Sequence, residues 1–240
     1  MATETGHAKN VANFQTLISF IKGYGDRYNP SKEKLKVTQL EALYTEAKNK
    51  MAEVLAKNTA YNTSVNNRVA AFSNIKSLST RLVNALQTTD ATDETIEDAK
   101  GFNRKIQGQK STPSPATIAD PTAPEPNTIS SSQRSYVQQI EHLSGLISVL
   151  QSEPSYMPNE TELKIDTLLA TQNELTTKNT EIANSYTNIS NARISRDATL
   201  YTKEDSIFEV AADAKKYIKS AFGATSTEFA QVKGIEFKKP

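Results

Sequence analysis

Two arginines stand where a packed helix would put apolar side chains. Arg68 falls on the seven-residue row Leu40, Ala47, Val54, Tyr61, Arg68, Ile75, Leu82, and Arg196 holds the matching place 128 residues later. A buried guanidinium without partners is costly, so packing alone would not leave one at each position. The pair predicts a polar layer in which Arg68 and Arg196 meet among Asn58, Asn62, Asn67, Asn188 and Asn191. Two chemistries fit such a layer. In one it fixes helix register, with Asp197 or backbone carbonyls as partners and the stems reaching to water. In the other the two guanidiniums hold an anionic ligand or a partner's carboxylate. If the seam is misassigned, both side chains face solvent.

Other reactive groups are few. There is no Cys and only two His, His7 and His142, which excludes disulfides, thiolate ligands and cysteine nucleophiles. Glu4 to His7 is the sole Glu-x-x-His, and His142 follows Glu141 with Gln139 three places before it. Neither supplies the paired motif that a di-metal bundle needs, so no metal site is expected. Gly-rich phosphate loops, serine elbows and zinc motifs do not occur. No catalytic residue and no cofactor is expected. The carboxylates have an ordinary explanation. Glu46 with Lys50, Glu53 with Lys57 and Glu174 with Lys178 are Glu-before-Lys pairs one helical turn apart, each contributing about 0.2–0.5 kcal/mol.

The run Lys100-Gly-Phe-Asn-Arg-Lys-Ile-Gln-Gly-Gln-Lys110 is echoed by Lys233-Gly-Ile-Glu-Phe-Lys-Lys239. With a net charge of +1 and no Trp, these read as segments that dock through Phe102, Ile106, Ile235 and Phe237, and no nucleic-acid partner is expected. The longest apolar run is Val69 to Phe72, far short of a membrane span. The first residues lack a basic-then-apolar leader, so a bacterial, cytoplasmic setting is the expectation.

The elements that would position these residues are helices. Leu, Ile, Val and Phe number 50 of 240, enough for a thin core. Neither Ser31 to Lys100 nor Asn159 to Phe222 contains Pro or Gly, a helical signature. Five of the nine prolines lie between Pro113 and Pro126, so residues 109–134 read as an extended linker. The two sides of it look like copies. Pro30, Leu35, Val37, Leu40, Glu46, Lys50 and Arg68 recur as Pro158, Leu163, Ile165, Leu168, Glu174, Lys178 and Arg196 at an offset of 128. Val11, Phe14, Leu17 and Ile21 match Val137, Ile140, Leu143 and Ile147 at 126, and Lys100-Gly101 matches Lys233-Gly234 at 133.

Each copy reads as a short helix, a turn, one very long helix and a terminal short helix. Val11, Phe14, Leu17, Ile18 and Ile21 give the first its apolar face, and Gly23 with Gly25 stops it. Asn29-Pro30 and Pro158-Asn159 mark the expected starts of the long helices. A second row, Tyr44, Met51, Asn58, Val65, Phe72, Ser79, Leu86, keeps the heptad phase to Leu86, and eleven of the fourteen seam residues are apolar. Ile165, Leu169, Ile194 and Phe208 are expected to widen the buried stripe of the second copy. The polar patches Lys57–Arg68 and Asn184–Thr199 are where a kink would fall. Thr92 and Thr225 are the expected caps of the terminal helices.

The expected fold is therefore all-α: an elongated bundle of two homologous modules, 1–108 and 135–240, with long antiparallel central helices. The expected function is that of a non-enzymatic structural or protein-interaction bundle, with a protein partner or self-association through its helical seams and no membrane insertion. The alternative is a small-ligand or anion-binding protein built around Arg68 and Arg196.

Overall fold

The computed structural model describes residues 4–108 and 135–239, so the expected linker at 109–134 lies outside the described residues. Among these residues the regular elements are all helical: α1 (Glu4–Gly23), α2 (Val37–Phe72), α3 (Ile75–Leu86), α4 (Asp93–Gln107), α5 (Tyr136–Ser152), α6 (Ile165–Asp197), α7 (Ile207–Phe222) and α8 (Thr227–Lys233). None of them is long and apolar enough to cross a membrane.

The helices form two compact units, each drawn from both sides of residues 109–134. Residues 1–61 with 185–240 make the first unit, and residues 62–184 make the second. In the first, α1 supplies Phe14, Leu17 and Ile21 and the start of α2 supplies Leu40 and Ala47. From the later part of the chain come Leu200, Val210, Ala214, Ile218 and Val232. In the second, Phe72, Ile75, Leu82 and Leu86 pack with Leu143, Leu146, Ile147, Leu150, Leu168 and Leu175, closed by Ala99 and Ile106 of α4. The boundaries between units fall inside α2 and α6.

The seam reading survives in detail. All fourteen residues of its two rows are buried or half-buried. The single long helix does not survive, because α2 stops at Phe72 and α3 begins at Ile75. Ser73 Oγ donates to the carbonyl of Ala70 at 2.7 Å, the local competition by which a short hydroxyl side chain ends a helix. The break leaves the heptad phase unchanged, since Ile75, Ser79, Leu82 and Leu86 stay buried beyond it. Periodicity is blind to such a break. The polar patch Lys57–Arg68 is helical throughout.

The second long helix differs at its end. After α6, residues Ala198–Thr202 form a π-helical turn, and α7 begins behind a Ser206 cap whose Oγ accepts from Glu209 N at 3.4 Å. The starts also differ from expectation. Short 3-10 turns at Glu33–Leu35 and Thr161–Leu163 precede the helices, which begin at Val37 and Ile165 and not at the Asn-Pro pairs. Thr92 caps α4, but the cap of α8 is Ser226 and not Thr225. Ile165 and Phe208 pack on the cores. Leu169 and Ile194 do not widen the stripe: they are exposed, at 38% and 66%. Phe102, Ile106, Ile235 and Phe237 dock as expected, but the first two do so inside α4, which runs through Gly101 to Gln107.

Two local arrangements recur at a spacing of 128 residues. Tyr28 donates its hydroxyl proton to the carbonyl of Leu35 at 3.0 Å, and Tyr156 does the same to Leu163 at 2.9 Å. Lys50 pairs with Glu53 at 3.1 Å, and Lys178 with Glu181 at 3.1 Å.

Candidate functional site

Each unit holds inward-facing polar side chains. In the second unit Arg68 projects from α2 onto α5. Its guanidinium carbon lies 4.0 Å from the centre of the Tyr136 ring, a close cation–π contact. Nη1 donates to Asn179 Oδ1 at 3.2 Å. Tyr136 also meets Phe72 edge-on, with ring centres 4.7 Å apart. Arg68 Nε is buried without a hydrogen-bond partner, as are Gln138 Oε1 and His142 Nε2 on α5. Burial pushes the His142 imidazole below its ordinary value, Lys105 adds to this, and Glu141 opposes it.

In the first unit Arg196 is only 4% exposed. It turns back on its neighbour Asp197, with Nε and Nη2 each 2.9 Å from Oδ1. The π-helical turn that follows places Thr199 and Tyr201 inward. Tyr201 OH lies 2.7 Å from His7 Nδ1 and accepts from Asn10 Nδ2 at 3.0 Å. Thr199 Oγ1 donates to Glu46 Oε1 at 2.8 Å, and Lys203 Nζ reaches both oxygens of the same carboxylate at 2.8 and 2.9 Å. The Lys203 ammonium and the Thr199 hydroxyl hold the Glu46 carboxyl below the usual carboxylate range, against the opposing effect of burial.

The seven residues singled out in the sequence are divided between the units. Arg68, Asn62 and Asn67 belong to one; Arg196, Asn58, Asn188 and Asn191 to the other. Asn62, Asn67, Asn188 and Asn191 are exposed and Asn58 is half-buried. The polar partners found for the guanidiniums are instead Asn179, and Asp197 as the sequence suggested. Sequence reasoning missed His7, Asn10, Asn13, Tyr136 and Tyr201. A signal existed for two of them: Asn10 and Asn13 lie among Val11, Phe14 and Leu17, polar residues set within an apolar helix face.

Chemically, these side chains brace one segment of a unit against another. Among the described residues no three His, Asp or Glu side chains come together as a metal would require. Glu46→Gln is expected to cost about 0.5–1 kcal/mol, the range of a partly exposed ion pair with one added hydrogen bond. Because the folded carboxyl is depressed, that stability is present above the ordinary carboxylate range and lost as pH falls through the folded value. Urea midpoints at pH 7 and pH 3 check this; the gap between the variant and the parent should be smaller at the lower pH.

No protein-family model matches the chain, and no curated protein or solved structure shows significant similarity to it.

Proposed function

We propose that this chain is a non-enzymatic structural or protein-interaction bundle that arose by internal duplication. The observation that carries the duplication is the pair of tyrosine clamps, Tyr28 on Leu35 and Tyr156 on Leu163, each spanning a 3-10 turn before its long helix. Amphipathic periodicity alone gives no reason for the same phenol to bond the same carbonyl seven residues ahead at both places. The matching Lys-before-Glu pairs support the same reading. The interaction role is supported by where the polar side chains go. Arg196, Glu46 and Asn10 are engaged in bonds that tie one segment of the first unit to another or brace a helix end, which is the chemistry of a scaffold.

Two measurements test this reading. Each compact unit draws residues from both sides of 109–134, so a protease site placed there should yield fragments that co-elute without denaturant; fragments that separate would refute the shared units. Crosslinking of the tagged chain in its host, followed by reconstitution from purified components, should give a stoichiometric protein complex. A chain that stays alone at every step overturns the interaction role.

A second reading is favoured by one atom. Arg68 Nε is buried and unpartnered, so the Arg68 corner could take an anion. Inorganic phosphate should then raise the melting temperature of the parent and leave Arg68→Leu unmoved. Without phosphate, Arg68→Leu is expected to stay folded and be neutral to slightly stabilising, because apolar side chains replace buried charge at little cost. Equal phosphate responses would dismiss the anion.

A further inference from the structure

The chain after α8 is no longer helical over residues 235–239, and side chains hold its backbone. Asn10 Nδ2 donates to the carbonyl of Lys238 at 2.8 Å, and the Lys238 N–H donates back to Asn10 Oδ1 at 3.1 Å. Nearly one turn along α1, Asn13 Nδ2 donates to the carbonyl of Glu236 at 2.6 Å. From α7, Lys215 Nζ donates to the carbonyls of Ile235 at 2.5 Å and Lys233 at 3.3 Å. A carboxamide offers a donor and an acceptor, so it matches both backbone groups of one extended residue. Asparagines three apart on a helix present two such groups on one face.

Side chains of the segment alternate as an extended chain requires. Ile235 and Phe237 pack on the core of the first unit, and Phe237 meets Phe14 edge-on with ring centres 6.5 Å apart. Lys239 lies 4.5 Å above the Phe208 ring and 3.6 Å from Glu209. Beside the segment lies an open cleft of about 500 Å³ walled by Phe208, Ala212, Lys215, Ile235 and Phe237. The bonds to the backbone read no side chain; the aromatic anchor and the basic residue after it supply selectivity. At the matching places of the other copy stand Tyr136 and Gln139 in place of the asparagines, and the chain there continues as helix α4.

Resting on the interaction role proposed above, we propose that the α1–α7 groove captures an extended peptide of a partner protein, with the pattern apolar–x–Phe–basic–basic, and that residues 235–239 are its resident occupant. Backbone-directed bonding with alternate side-chain pockets is the general means by which proteins take extended peptides. A tethered occupant has an effective concentration in the millimolar range, so an external peptide competes only when the tether is weakened.

The test uses the full chain and a fluorescein-labelled Gly-Ile-Glu-Phe-Lys-Lys peptide read by anisotropy. Phe237→Ala, which removes the resident anchor, should bind the peptide saturably and at least tenfold tighter than the parent. Adding Asn13→Ala should weaken that binding at least fivefold, and a peptide with Ala in place of Phe should not bind. Lys238→Pro removes the N–H given to Asn10 without touching the core, and serves if Phe237→Ala is unstable. A folded, released chain that binds no peptide overturns the proposal. So does equal binding of the Phe and Ala peptides, or a parent that instead dimerises by exchanging residues 235–239. A partner complex that survives alongside failed peptide binding defeats the groove and spares the interaction role; loss of both defeats both.

Discussion

Gly145→Ala is expected to destabilise the protein by about 1–3 kcal/mol, the cost of overpacking a closed interface. A Cβ on Gly145 would lie 2.2 Å from Phe102 Cε1, 2.5 Å from Cζ and 2.8 Å from Cδ1, distances that no real contact sustains. The ring belongs to α4 and the glycine to α5, in the second unit. Relief requires Phe102 to swing away from Gly145, with Lys105 Nζ already 5.3 Å from the ring centre. It would uncover apolar surface at about 25 cal/mol per Å², or else part the two helices around Ile106 and Leu146, both buried. Urea denaturation of Gly145→Ala measures the loss. The double variant with Phe102→Leu should recover part of it, since a narrower side chain makes room for the new methyl. A midpoint unchanged from the parent would show that the ring moves freely and that this glycine has no packing role.

The sequence discloses helices and buried faces more readily than it discloses partners. Val11, Phe14, Leu17 and Ile21 are buried as their spacing demands, because a three- and four-residue period has only one regular explanation. The fourteen seam residues are legible for the same reason. The end of α2 at Phe72 is not, because the break before Ile75 preserves the phase that would have betrayed it. A residue-level signal did exist at the start of α7, where Ser206 stands three before Glu209 in the spacing of a capping box. The pairing of segments across the chain escapes any local pattern. Nothing near Asn10 announces a bond to Lys238, a residue 228 positions away, nor does anything near Arg68 announce the Tyr136 ring. The expected asparagine ring fails for a related reason. Polar residues on a long helix satisfy themselves in water at less cost than in a buried layer, and Asn62, Asn67, Asn188 and Asn191 do so.

Tyr28→Phe and Tyr156→Phe are each expected to cost about 1–3 kcal/mol, because the substitution leaves a buried carbonyl without its donor. The hydroxyls reach Leu35 and Leu163 at 3.0 and 2.9 Å, and both rings are about 6% exposed. The two clamps lie in different units, so the losses should add, to about 2–6 kcal/mol in the double variant. Similar single losses are what a duplicated device predicts. A large loss at one site and none at the other would mean that one clamp has become ornamental. The same phenols make the effect depend on pH in a definite direction. Burial pushes Tyr28 up, aided by Tyr217, and raises Tyr156 to about 12, aided by Glu160. An unfolded tyrosine gives up its proton near pH 10, so above that the folded state holds protons that the unfolded chain has lost. The stability that the clamps contribute is therefore complete below pH 10 and drains as pH climbs towards 12. Denaturation curves for the parent and the double variant should accordingly stand furthest apart at pH 7–9 and draw together from pH 10 upward. Tyrosinate absorbance of the folded parent should lag that of the unfolded chain over the same interval. A gap that stays constant to pH 12 would show that neither hydroxyl is held in the buried, proton-retaining bond on which the clamp depends.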